Sequence, residues 1–196
     1  MIKGERTRID AILKEEGYYY FSPDLLIVDA DSTIGDQKVN LFVKVKGNTP
    51  QQAKKPFIID NVYIYPNYRL NAKNQDTTVT EKDLHDGYYI IDKRKIFKPK
   101  LFPSIMRFDS GDVYNRTDHN LTLSRLINLG VFKFVKNRFE ESKNTLGDTG
   151  RLNTYYYLTP LPKKSLRVEL TGNTKSNNYV GSLITLSFLN RNTFRG

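Results

Sequence analysis

The sequence predicts an α+β fold: small sheets covered by helices, followed by two strands that no helix covers. Three observations predict it. An amphipathic helix, a glycine, an aromatic-rich strand, a turn and a second strand occur in that order at 4–45 and again at 118–159. Aromatic residues, 13 Tyr and 11 Phe, gather in runs such as Tyr18-Tyr19-Tyr20-Phe21 and Tyr155-Tyr156-Tyr157, and aromatic residues suit strands. The tail, 163–196, alternates apolar and polar residues in two segments joined by a turn-rich stretch.

The first helix is predicted at 4–16. Ile9, Ile12 and Leu13 share one face, the other positions are mostly charged, and Gly17 can turn left-handed at its end. A strand then runs from Tyr18 to about Val28. Asp29–Lys38 reads as a turn. Val39, Leu41, Val43 and Val45 alternate with Asn40 and Lys44 on a returning strand. Gly47–Gln52 has the composition of a linker.

The second half opens with a strand at Phe57–Tyr65. Residues 69–100 read as a long polar loop with one short hairpin, carrying the basic residues Lys93, Arg94, Lys95, Lys98 and Lys100. Leu101–Phe108 reads as a short helix with Pro103 in its first turn, broken by Asp109-Ser110-Gly111-Asp112. The second full helix spans 118–129, with Thr117 as N-cap, Leu123, Leu126 and Ile127 as its buried face, and Gly130 at its end. Strands follow at Val131–Phe139 and Arg151–Thr159. In the tail, Leu166, Val168 and Leu170 form one alternating strand and Val180 to Phe188 another, the weak signature of membrane-barrel strands.

Composition excludes several chemistries. Without cysteine there is no disulfide, thiol catalysis or iron–sulfur cluster. No nucleophile–base set, zinc motif or phosphate loop stands in the sequence, so no catalytic, metal or cofactor-binding residue is expected. Of the two histidines, His119 reads as a surface or capping residue. Asp109 and Asp112 flank a glycine turn but lack the ligand count for calcium. Neither a secretory signal nor a run of about 18 apolar residues is present, which points to a cytoplasmic protein or a piece of a longer chain. The net charge of +10 favours an acidic partner. Nucleic acid, anionic lipid and lipopolysaccharide are the candidates, and no RNA-binding motif supports the first.

Several short motifs fall in a family order. Gly111-Asp112-Val113-Tyr114 forms a turn, and Leu126, Leu129, Gly130, Val131, Phe132 and Val135 form a helix exit and strand. Glu5, Arg6, Arg8 and Ile9 through Gly17-Tyr18-Tyr19 look like the same exit one module earlier. Leu158-Thr159-Pro160-Leu161-Pro162-Lys163 and the closing Arg191–Gly196 look like a junction into a barrel. Together these resemble the POTRA region of outer-membrane barrel-assembly proteins of the BamA/TamA type. The 69–100 insert is longer than the family's connection, and Tyr65-Pro66-Asn67-Tyr68 replaces its Gly-Asn turn.

The resemblance implies tandem POTRA-like modules, each with helices on a three-stranded mixed sheet. A partial module covers 1–48, a fuller one 56–161, and a β-hairpin stub of a barrel 162–196. It implies a non-catalytic scaffold on the periplasmic side of the outer membrane, with no cofactor and no nucleic acid. Its partners are nascent outer-membrane proteins, assembly accessory proteins and anionic lipid or lipopolysaccharide headgroups. Clients pair with the edge strand through Val131, Phe132, Lys133, Phe134, Val135, Lys136 and Asn137, and headgroups meet Lys93, Arg94, Lys95, Lys98 and Lys100. A relative in two-partner secretion is a variant of this reading. The alternative from another class is a basic nucleic-acid-binding α+β domain.

Overall fold

In the computed structural model, residues 2–35, 38–69, 77–143, 148–174 and 180–191 are described. The central strand owes its place to strict alternation: in β7 (Gly150–Pro160), Gly150, Leu152, Thr154, Tyr156 and Leu158 are buried and their neighbours are not. β7 runs parallel to β3 (Phe57–Tyr65) and antiparallel to β6 (Phe132–Glu141). These three strands are the expected mixed sheet.

The sheet has two strands more than expected. Within the 69–100 insert, β4 (Leu84–His85) and β5 (Tyr88–Ile90) form a hairpin that adds to β3, giving the order β4-β5-β3-β7-β6. Asp86 and Gly87 take φ of 48° and 84°, the two positive values of a tight two-residue turn. The expected single hairpin is therefore present, and it extends the sheet instead of hanging from it.

The expected helix at Leu101–Phe108 is instead a 3₁₀ turn, Pro99–Leu101, followed by turns. It delivers Phe102, Ile105, Met106 and Phe108 into the core as a helix would. α2 (Arg116–Asn128) covers the same sheet face with Leu126 and Thr122, both fully buried. Thr122 takes the place expected of Ile127, which is exposed, and its Oγ1 accepts the Arg107 N–H at 3.2 Å. The N-cap is Asn115, whose side chain accepts the Asp118 N–H at 3.0 Å, and Thr117 lies inside the helix.

In the first half, α1 (Ile2–Glu15) ends at Gly17, φ 95°. The strand expected from Tyr18 begins only at Leu26. Ser22 and Pro23 start a 3₁₀ turn, and Tyr19 and Tyr20 turn into the main core beside Tyr114 and Phe57. The tyrosine run is thus a packing plug. β1 (Leu26–Asp31) and β2 (Asn40–Val45) make a separate antiparallel hairpin. The linker 47–52 is exposed apart from the buried Thr49, but it is held at its end: Gln52 donates to Glu141 at 2.9 Å, and beyond it Ala53 is buried and Lys55 pairs with Glu141 at 2.9 Å. Asp10, rather than the expected apolar stripe, is the buried residue of α1, and it reaches Arg116 of α2 at 3.5 Å.

β8 (Lys164–Thr174) and β9 (Val180–Asn190) pair along their whole length as the third sheet, a hairpin of two 11-residue strands. Residues 175–178 of the expected turn and the closing 192–196 lie outside the described residues.

Candidate functional site

One strand edge of the five-stranded sheet is long and open. On the far side, β4 is two residues long, and the rest of β3 is covered by the 109–114 turn through Ile59 N–H to Asp112 O, 2.8 Å, and Tyr114 N–H to Phe57 O, 2.9 Å. β6, ten residues long, has β7 on one side and, among the described residues, no strand on the other.

Antiparallel pairing decides which backbone groups that edge offers. Ser142 donates its N–H to Arg151 O at 2.8 Å, so the alternate residues Glu140, Arg138, Lys136 and Phe134 turn their backbone toward β7. Val135, Asn137 and Phe139 then turn theirs outward, while their side chains face the helices. An incoming extended chain meets a ladder of these three donors and acceptors, flanked by the exposed Lys133, Lys136 and Arg138.

The candidate residues fall into distinct places. Val131 precedes the strand, and its carbonyl is held by the Leu161 N–H. Phe132 is core. Lys133 and Phe134 sit at a register shift and stack on each other, the ammonium 5.2 Å from the ring. Lys136 faces out from the strand, and Val135 and Asn137 carry the free backbone. Phe139, two residues beyond Asn137, belongs with Val135 and Asn137 by parity.

The outer face of the sheet holds what the sequence did not reveal. Tyr89, Tyr63 and Tyr155, on three neighbouring strands, stack at 5.0 and 4.9 Å, and Tyr65 stacks on Tyr157 at 5.2 Å. Burial raises the Tyr65 phenol to about 12. Period-two alternation puts Tyr155 and Tyr157 in this ladder and Tyr156 in the core; only strand order brings in Tyr63 and Tyr89.

Of the basic run, Lys93, Lys95 and Lys98 line one cavity of about 540 Å³ together with Lys82 and His85. Two carboxylates share it: Asp83 pairs with Lys93 at 3.3 Å, and Asp92 accepts the Phe97 N–H. Arg94 and Lys100 are exposed and do not line it.

Other polar groups are structural. His119 is not a surface cap; it packs against Phe139 at 5.1 Å and Phe108 at 6.5 Å, and burial there lowers its pKa. Asp109 accepts the Tyr88 hydroxyl and Asp112 the Asp109 N–H. Among the described residues no cluster could hold a metal ion, and no helix is long and apolar enough to cross a membrane.

The β8–β9 hairpin is two-faced. Leu166, Val168, Leu170, Val180, Ile184, Leu186 and Phe188 share one face and are 56 to 79% exposed. The other face carries Arg167, Glu169, Thr171, Thr185 and Ser187, with Leu183 and Leu189 as apolar exceptions. A membrane-crossing strand needs about 9–11 residues, alternating apolar outside and polar inside.

No protein-family model matches this chain, and no curated protein does. Solved structures do. The chain is similar in fold to the POTRA region of BamA-type proteins. With BamA from Haemophilus ducreyi lacking POTRA domains 1–3, the TM-score is 0.48 at 14% identity, covering 86% of this chain and 25% of that one. With the POTRA 3–5 region of Haemophilus influenzae BamA it is 0.39 at 16%, covering 76% and 44%. With POTRA 1–3 of the periplasmic domain of Omp85 from Anabaena it is 0.38 at 15%, covering 80% and 49%. The chain thus spans less than half the length of each.

Proposed function

We propose that this chain is a membrane-proximal, periplasmic part of an outer-membrane protein that assembles, inserts or exports other outer-membrane proteins. It acts as a non-catalytic scaffold. Residues 1–48 form a partial POTRA-like module, 56–161 a fuller one with the 69–100 insert, and 162–196 the first hairpin of a barrel. Nascent outer-membrane proteins are its clients and assembly proteins its accessory partners.

The observation that carries the reading is the β6 edge. It is the one long open edge of the five-stranded sheet among the described residues, and its free donors lie on Val135, Asn137 and Phe139. Backbone pairing accepts many sequences, as a factor with many clients requires. The bare apolar face of β8–β9 supports the membrane side of the reading. The exposed lysines around the Lys93–Lys98 cavity face anionic headgroups in the same orientation.

Asn137→Pro removes an outward N–H and leaves the β7 ladder intact. Binding of a synthetic peptide with the sequence of Val180–Asn190, a ready example of a barrel strand, is measured by fluorescence anisotropy. The variant should bind at least about tenfold more weakly, the loss of one good backbone contact and its neighbours. Unchanged binding removes the edge mechanism. Tight, steeply salt-dependent binding of DNA or RNA in place of peptide replaces this reading with that of a basic nucleic-acid-binding domain.

A further inference from the structure

At the corner between the sheet and the hairpin lies a second cavity, of about 380 Å³. Arg69, Lys163 and Arg191 line it, and among the described residues no carboxylate does. Its apolar wall is Ile96, Phe97 and Val131 with the Pro160-Leu161-Pro162 corner. Phe97 also lines the Lys93–Lys98 cavity, so the two are neighbours across one ring. They differ in charge balance, because the Lys93–Lys98 cavity holds Asp83 and Asp92 among its lysines.

We infer that the corner cavity binds the phosphate headgroup of an anionic lipid, with the phosphate on Arg69, Lys163 and Arg191 and the first hydrocarbon groups against the apolar wall. The wall argues against a peptide. Proline has no N–H, and the Leu161 N–H is already given to Val131 O at 2.8 Å. A backbone-reading ligand therefore finds little to pair with there. Three cations beside apolar side chains suit an amphiphile with a negative head.

Depth agrees. Arg191 closes the base of the hairpin, its N–H to Lys163 O at 2.9 Å and its Nη1 to Ser165 Oγ at 3.0 Å. The apolar face starts three residues past Lys163, at Leu166 opposite Phe188. That is about 10 Å of strand, or about 7 Å of depth at a tilt of about 45°. The headgroup layer is about 5–7 Å thick on each side of a bilayer. The assignment of the ligand to a membrane lipid rests on the reading that the hairpin lies in a bilayer; the binding itself does not.

The full chain is titrated by calorimetry with three soluble probes: dihexanoyl phosphatidylglycerol below its micelle threshold, dihexanoyl phosphatidylcholine, and inorganic phosphate. The phosphatidylglycerol should bind saturably at one site, and the other two at least about tenfold more weakly, the loss of a charge-assisted contact or of the buried methylenes. Lys163→Gln should weaken it about fivefold, the share of one cation at an anionic surface, and Arg191→Lys should keep most of it. Lys54→Gln, at an exposed cation that lines neither cavity, should leave it unchanged. Equal binding of both lipids, phosphate binding as tightly as phosphatidylglycerol, or an unaffected Lys163→Gln overturns the inference. The chain has no tryptophan, so a Leu170→Trp reporter tests the hairpin separately. Failure of its emission to shift blue on phosphatidylcholine vesicles refutes the bilayer placement and leaves any lipid selectivity of the cavity intact.

Discussion

Gly150 stands where any side chain would strike Phe57: a Cβ there lies 2.2 Å from the ring. Phe57 is fully buried and met edge-on by Tyr20, so it cannot yield. Gly150→Ala should cost about 1–3 kcal/mol in urea unfolding, as overpacking does. Gly130, whose Cβ would meet open space, should lose only about 1 kcal/mol through its positive φ. His119 gives a pH signature. Burial lowers its folded pKa below 6.5, so above pH 6.5 both states are neutral and no stability is at stake. As pH falls through 6.5 the unfolded chain gains a proton that the folded chain refuses, and stability declines. Urea melts from pH 7.5 to 5 should show that decline in the parent and a shallower one in His119→Phe. Neither residue's role was readable from the sequence. Gly150 stands just outside the strand expected from Arg151, and nothing local says that Phe108 and Phe139 will enclose His119. The cap shows the same limit: Asn115 and Thr117 are both good capping types, and only the chain's entry angle chooses between them.

Elements were more legible than residues, because period is a local signal. β3, α2, β6 and β7 fall within two residues of their expected bounds, since their alternation or helical spacing has no competitor. Tyr18–Phe21 misled for a physical reason. Aromatic residues favour strands only while they have a sheet to join, and here Gly17 and Pro23 turn the run into a neighbouring core. The insert was readable as a hairpin but not as a sheet partner, since pairing with β3 is a long-range choice. The hairpin β8–β9 carries the sharpest test at this scale. Leu170 and Thr171 are adjacent and exposed but point to opposite faces. A lysine on a lipid-facing strand costs about 2–4 kcal/mol near the bilayer midplane. Leu170→Lys should lower partition into vesicles by that order, and Thr171→Lys by much less. Equal losses show that the apolar face is not the membrane face.

For the molecule as a whole, several ties join the first half to the second, among them Asp10 with Arg116, Gly17 O with the Phe57 N–H at 2.9 Å, and Lys55 with Glu141. None was visible in the sequence, which shows two similar units and a linker. Asp10 is 5% exposed but Arg116 is about half exposed, so the guanidinium stays solvated when its partner goes. Asp10→Ala should cost about 1 kcal/mol, the scale of a partly exposed pair, and should increase proteolysis near 47–55. The fold class was legible; the docking of the first half onto the second was not. On the proposed reading, a chain captured at the open β6 edge is held on the unit that leads through Pro160-Leu161-Pro162 into the β8–β9 hairpin. Hydrogen exchange on individual β6 amides, followed by NMR with and without the Val180–Asn190 peptide, tests that capture most directly. A client strand added to the edge should slow exchange at Val135, Asn137 and Phe139 and leave Phe134, Lys136 and Arg138, already bonded to β7, as they were. Binding of the peptide with no change at those three amides contradicts it.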